Sequence, residues 1–362
     1  MTFSTDRVSE LLSANRLAPY LRHSDNDVDD ALRLYEWSTR MSMSMFELMS
    51  HLEIMLRNSI DAALADHFKD ESCGIPWFLR NPPTSGQMSE SVETVRARLR
   101  PQGKDSRHQI VAGMSFGFWT GMLAVKHDDL WRTALRKAFP GSDGNRKTVV
   151  RELEALRHVR NRIAHHDSTL NIDVPFEVRR MHKVAGFIGP DAARWLQSLD
   201  QTDAVYQARP HSVIDTVVVP ARKAWALYQS ESAYVCQPGR AFRSMERIAF
   251  YHDQAIQPEV PKIMHRRDNV IWTDQEATRL QQSQDRNDRK IATVIRASRQ
   301  AGWVNNGTQQ VFLLSRPGAQ ERRTLPAPIP NRSKGFGSAF VRKQRYVSLH
   351  KLQTANTTAD VT

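Results

Sequence analysis

Residues 28–66 read VDDALRLYEWSTRMSMSMFELMSHLEIMLRNSIDAALAD and contain neither glycine nor proline. Apolar side chains recur along them in steps of three, four and seven, which is the period of one face of an α-helix. Those side chains belong to Leu34, Met41, Met45, Leu48, Leu52, Met55, Leu56 and Ile60. The stretch therefore predicts one long amphipathic helix with a buried face, in a helical fold.

The chain on both sides of this stretch also favours helices, as far as about residue 235. Glycines and prolines mark a loop after it, at Gly74, Pro76, Pro82, Pro83 and Gly86. Further helices are predicted within residues 89–100, 146–164, 175–200 and 216–230. The strongly apolar residues 114–125, MSFGFWTGMLAV, are expected to be buried. Together these elements predict an all-α bundle.

The character of the sequence changes near Cys236. Short β-prone runs follow at residues 247–251, 270–272, 311–314 and 346–349. A polar helix is predicted among them, with Thr273 as its N-cap and Gly302 as its stop. The predicted fold class is therefore α + α/β, with a helical domain over residues 1–235 and a small mixed α/β module over residues 236–362.

The positive charge of the chain is concentrated in that module. The whole chain of 362 residues has a net charge of +12, and residues 236–362 hold 21 Lys and Arg against 10 Asp and Glu, a net charge of +11. A basic domain attracts polyanions, and nucleic acid is the commonest of them. RNA is therefore the expected partner, although a basic surface can also aid solubility or contact an acidic protein.

Eight cationic side chains of the module form the candidate RNA-binding patch, namely Arg240, Arg243, Arg247, Arg266, Arg267, Arg342, Lys343 and Arg345. Four aromatic side chains beside them could stack on bases, namely Tyr251, Trp272, Phe340 and Tyr346. The apolar neighbours of Trp272 and Tyr346 favour core positions for these two. The segments His252–Asp253 and His265–Asp268 contain suitable groups, but they do not indicate a second active centre.

Cysteine usage and hydropathy indicate the compartment. Cys73 and Cys236 are far apart and suggest neither a disulfide framework nor a metal cluster. No apolar run approaches the roughly 20 residues that a membrane-spanning helix needs. Residues 1–13 also lack the pattern of a signal peptide. A cytoplasmic protein without membrane association is expected.

The predicted helix at 146–164 ends in the segment LRHVRNRIAHH, residues 156–166. Its apolar side chains at Val149, Leu153, Leu156 and Ile163 define one face. Arg160 follows Leu156 by four residues and therefore falls in the apolar phase, where a charge is costly unless it is paired or lines a polar cleft. Asn161 and His165 are four residues apart and share the adjacent face.

These residue types suit the cleavage of RNA. The 2′-hydroxyl of RNA attacks the neighbouring phosphorus, so the protein only has to move protons and neutralise charge. Histidine transfers protons near neutral pH, and arginine matches phosphate oxygens. The candidate catalytic residues are Arg160, Asn161, His165 and His166, with Arg162 as an RNA contact, and neither a metal nor a cofactor is expected. An Arg-x4-His pattern also arises by chance, and residues 162, 166 and 167 could be solvated helix-end groups.

The segment 156–166 resembles the signature of the Abi-like abortive-infection family of the HEPN superfamily, an Arg-Asn pair followed by Ala-His-His. Residues 53–58, EIMLRN, resemble the first helix of that family, and residues 115–119, SFGFW, resemble its central apolar segment. The similarity extends over about residues 5–230. It implies a HEPN-like helical bundle that forms a homodimer, with two Arg-x4-His motifs facing each other.

The resemblance also implies a function. Members cleave RNA endonucleolytically, leave a 2′,3′-cyclic phosphate and a 5′-hydroxyl, and act as toxins in antiphage defence. An antitoxin or a regulatory RNA is a further possible partner. Two alternatives remain open: a non-catalytic RNA-binding protein, and a regulatory scaffold that dimerises through the bundle. For Glu53 and Arg57, which are four residues apart, an ion pair within one helix is expected rather than a role in the cleft.

Overall fold

A computed structural model describes residues 4–69, 75–80, 86–210, 214–302, 307–333 and 339–361. Cys73 and three residues of the predicted loop, Gly74, Pro82 and Pro83, lie outside the described residues. No helix of the described residues is long and apolar enough to cross a membrane. The chain combines helices with β-sheets, as its sequence predicts.

The helices are α1 Thr5–Leu12, α2 Ala14–His23, α3 Val28–His67, α4 Gln87–Leu99, α5 Arg107–Gly113, α6 Phe116–Gly121, α7 Asp128–Thr133, α8 Arg146–Ala164, α9 Val174–Ile188, α10 Pro190–Leu199, α11 Thr202–Gln207, α12 Ala224–Glu231, α13 Asp274–Gln281, α14 Arg286–Gln300 and α15 Leu349–Thr354. The strands are β1 Thr216–Pro220, β2 Ala233–Cys236, β3 Arg247–His252, β4 Ala255–Ile256, β5 Glu259–Val260, β6 Ile263–Ile271, β7 Thr308–Leu314, β8 Arg323–Thr324, β9 Ile329–Pro330 and β10 Arg345–Val347.

The chain divides into two compact units. The helical unit comprises Trp37–Thr169 and Glu177–Arg209, and the mixed unit comprises Met1–Glu36, Leu170–Phe176 and Pro210–Thr362. This corrects the expected boundary at residue 236, because the mixed unit begins earlier and includes the N-terminal helices. The composition of the sequence does not reveal this boundary. Strand β1 lies before the change in composition near Cys236, but it pairs with β3 and β10, which lie after that change.

Helix α3 is the single long helix that its sequence predicts. Seven of the eight predicted core positions are buried, and Met55 is half-buried. Polar side chains of α3 also bind distant backbone. Trp37 Nε1 donates to Val205 O at 2.8 Å, and Ser59 Oγ donates to Ala138 O at 2.8 Å. The helix therefore positions segments along the whole helical unit.

A buried carboxylate on α3 adds a further connection. Asp61 Oδ1 accepts a hydrogen bond from Trp77 Nε1 at 2.8 Å and forms an ion pair with Arg107 Nη2 at 2.7 Å. Because Arg107 is the first residue of α5, this carboxylate fixes the start of that helix. The apolar residues 114–125 follow, and Trp119, Met122 and Leu123 are fully buried, as expected.

Helix α8 begins at the N-cap Asn145, whose side chain accepts a hydrogen bond from Lys147 N at 3.0 Å. Its predicted apolar face is confirmed, because Val149, Leu153, Leu156 and Ile163 are buried. These contacts hold the helix that carries the Arg-x4-His motif in one rotational setting.

Glu152 is buried on the same helix, with a side-chain exposure of 4%. Its carboxylate forms an ion pair with Arg180 of α9 and another with Lys183 Nζ at 2.8 Å. Burial alone would raise the pKa of the Glu152 carboxyl, but Lys183 and Arg180 outweigh burial and hold that pKa below its ordinary value. This buried ion pair fixes α8 against α9.

The mixed unit contains three sheets. Strand β1 is parallel to β3 and antiparallel to β10 in a five-stranded sheet of order β10-β1-β3-β4-β9. The order β2-β7-β6 forms a three-stranded sheet, and β5 pairs with β8. Three of the predicted β-prone runs form strands, β3, β7 and β10, and the fourth forms the end of β6.

The predicted helix at 216–230 is wrong in its first part, because Thr216–Pro220 forms β1. Val217 and Val219 pack into one apolar cluster and Val218 packs into another, so both faces of the strand are buried. A continuous apolar run of this kind fits a buried strand as well as a buried helix, and periodicity does not separate them. Helix α12 follows within the predicted range.

The predicted polar helix between Thr273 and Gly302 is two helices, α13 and α14. Thr273 is the N-cap as expected, and its side chain accepts a hydrogen bond from Glu276 N at 3.2 Å. A second N-cap, Asp285, interrupts the run by binding Asn287 N at 2.8 Å. Gly302 ends α14 with a φ of +81°, which glycine adopts without strain.

We expect Glu152→Ala to lower the free energy of unfolding by about 1.5–3 kcal/mol, because buried Arg180 loses one of its two carboxylate partners and keeps Glu177. Chemical denaturation measures the difference. Because the folded-state pKa of Glu152 is lowered, its contribution is present above its ordinary pKa and is lost as the pH falls through the lowered value. The exposed Glu154→Ala on the same helix is the control, expected within about 0.5 kcal/mol of wild type. Equal losses for the two variants would contradict the role of Glu152.

Candidate active site

The C-terminal end of α8 is closed by a hydrogen-bonded turn. His166 N donates to Ile163 O at 3.0 Å, and Asp167 N donates to Arg162 O at 2.9 Å. These two bonds form the Schellman pattern that satisfies the last carbonyls of a helix. The chain therefore turns away immediately after His165, and the His165 side chain is left exposed at the helix end.

His166 holds the left-handed position of this turn, with a φ of +58°. Glycine usually fills this position, and another residue costs on the order of 1–3 kcal/mol there. Residues kept in such conformations cluster at functional sites. The side chains of His165 and His166 are both exposed, so this helix end presents two imidazoles to solvent.

Arg160 lies one and a half turns before His165, a rise of about 7.5 Å along the helix axis. It is half-buried, and its Nε is buried without a hydrogen-bond partner among the described residues. The Nε of Arg162 is likewise buried without a hydrogen-bond partner, but Arg162 Nη2 donates to Ser168 O at 3.3 Å and Nη1 lies 4.0 Å from Asp167. Arg162 therefore stabilises the turn, whereas the Arg160 guanidinium forms no hydrogen bond or ion pair among the described residues.

Glu53 of α3 lies within electrostatic range of Arg160. Burial raises the pKa of the Glu53 carboxyl, and the positive charges of Arg160 and Arg57 lower it without cancelling the rise. The ionised carboxylate is thus unfavourable in the folded protein even beside two cations. Perturbed carboxyls of this kind are concentrated at functional sites. We call Glu53, Arg57 and Arg160 the charged cluster.

The expected ion pair between Glu53 and Arg57 is wrong in its detail. No nitrogen of Arg57 lies within 4 Å of a Glu53 oxygen among the described side chains. Instead, Arg57 Nη1 donates to Ala112 O at 3.3 Å, and its Nε donates to Asn58 Oδ1 at 3.4 Å. Arg57 therefore binds a carbonyl in the last turn of α5, which is a common role of cations at helix ends.

The structure thus brings Arg160 into the charged cluster and places His165 and His166 at the nearby helix end. The side chain of Asn161 is exposed, and the backbone carbonyl of Asn161 accepts a hydrogen bond from His165 N at 2.9 Å. The motif combines a fixed cation, a free buried donor and accessible imidazoles. Among the described residues, no group of three His, Cys, Asp or Glu side chains is arranged to hold a metal ion.

Two residues of the candidate RNA-binding patch are buried, so they do not belong to an exposed surface. Arg247 is 7% exposed, and its Nη1 donates to Glu321 O at 2.6 Å. Arg266 is 6% exposed and forms ion pairs with Asp173 at 3.0 Å and with Asp268 at 2.9 Å. The prediction was wrong here because a count of charges does not distinguish a buried arginine from an exposed one.

Most of the other patch residues are half-buried and bind within the mixed unit. Arg240 Nη1 donates to Tyr234 Oη at 2.9 Å, and Arg267 Nη1 forms an ion pair with Asp288 at 2.5 Å. The guanidinium groups of Arg243 and Arg345 lie over aromatic rings, at 4.6 and 4.2 Å from the ring centres. Only Arg342 and Lys343, of the eight predicted residues, are fully exposed.

The aromatic side chains of the mixed unit belong to its core. Trp272 is 1% exposed, and Tyr346 packs against an apolar cluster while its hydroxyl accepts a hydrogen bond from Arg243 N at 3.1 Å. Core positions were expected for these two residues. Tyr251 and Phe340 also pack together, with ring centres 6.1 Å apart. Trp272 and Phe340 are therefore buried, whereas Tyr251 and Tyr346 are half-buried.

Sequence reasoning missed that Glu53 and Arg160 share an environment. The two residues are 107 positions apart, and no local spacing connects them. The available signal was the similarity of residues 53–58 to the first family helix together with the apolar phase of Arg160. No known family model, curated protein or solved structure matches the chain. The Abi-like resemblance therefore rests on the three quoted segments.

We expect Glu53→Gln to raise the free energy of unfolding slightly at pH 7, because the ionised carboxylate is unfavourable in the folded state. Because the folded-state pKa of Glu53 is raised, the ionised carboxylate does not destabilise the fold below the ordinary pKa of glutamate. The destabilisation is complete above the raised folded-state pKa. The gain should therefore disappear as the pH is lowered below about 4. Urea denaturation at several pH values measures it, and a variant less stable than wild type at pH 7 would contradict the assignment.

The structural role of Arg266 has its own test. We expect Arg266→Ala to lower the free energy of unfolding by about 3–5 kcal/mol, because Asp173 and Asp268 lose their common buried cation. The exposed Arg342→Ala is the matched control and should stay within about 0.5 kcal/mol of wild type. Chemical denaturation compares them, and an unchanged stability of Arg266→Ala would contradict the structural role of Arg266.

Proposed function

We propose that this chain is a metal-independent endoribonuclease of the HEPN type, which cleaves RNA by attack of the 2′-hydroxyl at a site shared by two copies of the chain. The observation that carries the proposal is the half-buried guanidinium of Arg160, which forms no hydrogen bond or ion pair among the described residues, on the helix that ends in exposed His165. A guanidinium without an internal partner is suited to bind a phosphate oxygen of RNA.

The chemistry needs two proton transfers. An imidazole takes the proton of the 2′-hydroxyl while the 2′-oxygen attacks phosphorus, and the P–O5′ bond breaks. A second group donates a proton to the leaving 5′-oxygen, so the products are a 2′,3′-cyclic phosphate and a 5′-hydroxyl. His165 is the proton-transfer group, Arg160 neutralises the phosphate charge, and Asn161 orients the substrate.

A second copy of the chain completes the proposed site. Arg160 and His165 are about 140° apart around α8. Arg160 lies within electrostatic range of Glu53, whereas His165 is exposed. A second copy of α8 would bring a second Arg160 and a second His165 to the same site, which is the arrangement that the family resemblance implies. We therefore propose a homodimer as the active form.

The biological role that we propose is that of a toxin or abortive-infection effector in antiphage defence, acting in the cytoplasm and controlled by an antitoxin or a regulatory RNA. The exposed Arg342 and Lys343 of the mixed unit would contribute to RNA binding. A non-catalytic RNA-binding protein is the alternative that the experiment below distinguishes.

We expect Arg160→Ala and His165→Ala to reduce RNA cleavage about 100-fold or more, because each removes a group needed in the transition state. Purified full-length protein is incubated with total RNA, and the 5′ ends and terminal phosphates of the products are mapped. Arg157→Ala and His158→Ala are matched controls, since both residues are exposed on the same helix one to two turns earlier.

Cleavage should persist in EDTA and leave 5′-hydroxyl ends. Full activity of His165→Ala, or loss of activity in the two control variants, would contradict the assignment of the site. Salt-sensitive RNA binding without cleavage in wild type would favour the non-catalytic alternative.

A further inference from the structure

Three large apolar side chains are exposed on one face of α3. Met43 is 58% exposed, Phe46 is 36% exposed and Ile54 is 44% exposed. On an ideal helix they lie within an arc of about 80°, opposite the buried face that begins with Met41 and Met45. Exposed apolar groups that share a face indicate an interaction surface, whereas single ones are ordinary.

The order of residues on this face is symmetric. Met43, Phe46, Ser50, Ile54 and Arg57 follow one another in steps of three, four, four and three, centred on Ser50. We call these five residues the α3 stripe. An antiparallel copy of the helix, related by a two-fold axis at Ser50, places Phe46 level with Ile54 of the second copy. Met43 then lies level with the apolar stem of Arg57.

The small side chain at the centre permits close approach. Ser50 Oγ is already bound to its own helix, donating to Phe46 O at 2.8 Å, so it needs no further partner. Trp195 of α10 extends the apolar surface, because it is 47% exposed and its ring packs against His51 at 5.2 Å. His51 is three residues before Ile54, so the two are neighbours on the helix.

The α3 stripe adjoins the charged cluster of the proposed active site. Arg57 belongs to both, and Glu53 lies four residues before it on α3. A second copy seated on the stripe would therefore come close to the groups that surround Arg160. The proposed function places one site across two copies, and this surface adjoins the part of it that one copy supplies.

We propose that the α3 stripe, together with Trp195, is the surface through which two copies of this chain associate in an antiparallel, two-fold arrangement. This inference rests on the proposed composite site, whose need for a second copy identifies the occupant. Met and aromatic side chains are typical of such interfaces, and isologous pairing requires a self-complementary surface. The symmetric spacing of the α3 stripe about Ser50 makes the surface self-complementary.

The geometry is tested by cysteine crosslinking of the full-length protein in a Cys73→Ser background; the other native cysteine, Cys236, is buried. In Ser50→Cys the two thiols lie on the two-fold axis, with Cα atoms on the order of 4–6 Å apart for helix axes 8–10 Å apart. In the matched control Asn58→Cys they lie about 24 Å apart. We expect mild oxidation to convert Ser50→Cys into a covalent dimer and to leave Asn58→Cys monomeric on denaturing gels.

A mass measurement tests the surface independently. We expect light scattering to report twice 41.4 kDa for wild type and 41.4 kDa for Ile54→Lys, because a charge replaces a central apolar contact. Val125→Lys is the control, since Val125 is 75% exposed elsewhere in the helical unit, and it should remain dimeric. Circular dichroism verifies that each variant is folded.

A monomeric wild type, a dimeric Ile54→Lys or equal crosslinking at positions 50 and 58 would overturn the inference. Both readouts are made without RNA, so they are separate from the proposed activity. A dimer that crosslinks through Ser50→Cys but never cleaves RNA would sustain the surface and overturn the ribonuclease. Full cleavage by monomeric Ile54→Lys would sustain the ribonuclease and overturn the need for this surface.

Discussion

Burial of the apolar face of α3 is the constraint on which the helical unit depends. Met41, Met45, Leu48, Leu52 and Ile60 are removed from water along α3, so the helix has one rotational setting. Every polar contact that α3 makes, from Trp37 to Asp61, follows from that setting. The same rotational setting places Glu53 within electrostatic range of Arg160. It also leaves Met43, Phe46 and Ile54 of the α3 stripe exposed to solvent. Burial of the apolar face of α3 thereby determines which side chains of the helix are exposed on its opposite face.

The candidate site contains several arrangements that do not favour stability. Glu53 is half-buried with a raised pKa, Arg160 has a buried Nε without a partner, and His166 adopts a conformation that suits glycine. Elsewhere on α8 the buried charge of Glu152 is fully paired with Arg180 and Lys183. The buried charge of Glu152 thus fixes α8 against α9, whereas the guanidinium of Arg160 has Glu53 only within electrostatic range.

The mixed unit shows why net charge is a weak guide to a binding surface. Its excess of arginine suggested a nucleic-acid patch, yet Arg247 and Arg266 are buried and Arg240 binds internal groups. Arginine serves there as a donor that satisfies carbonyls and carboxylates inside the fold. Of the eight cations that the sequence suggested as a patch, only Arg342 and Lys343 are exposed.

The sequence alone determined the elements that depend on local periodicity and capping. It predicted the length of α3, the apolar face of α8, the buried residues 114–125 and the N-cap at Thr273, because each depends on residues within a few turns. It also isolated the motif from Arg160 to His166. Only the tertiary structure decided that Thr216–Pro220 is a strand, that the mixed unit begins before residue 236, and that Glu53 lies beside Arg160. These depend on partners tens to a hundred residues away, and no local pattern encodes which distant face a residue will meet.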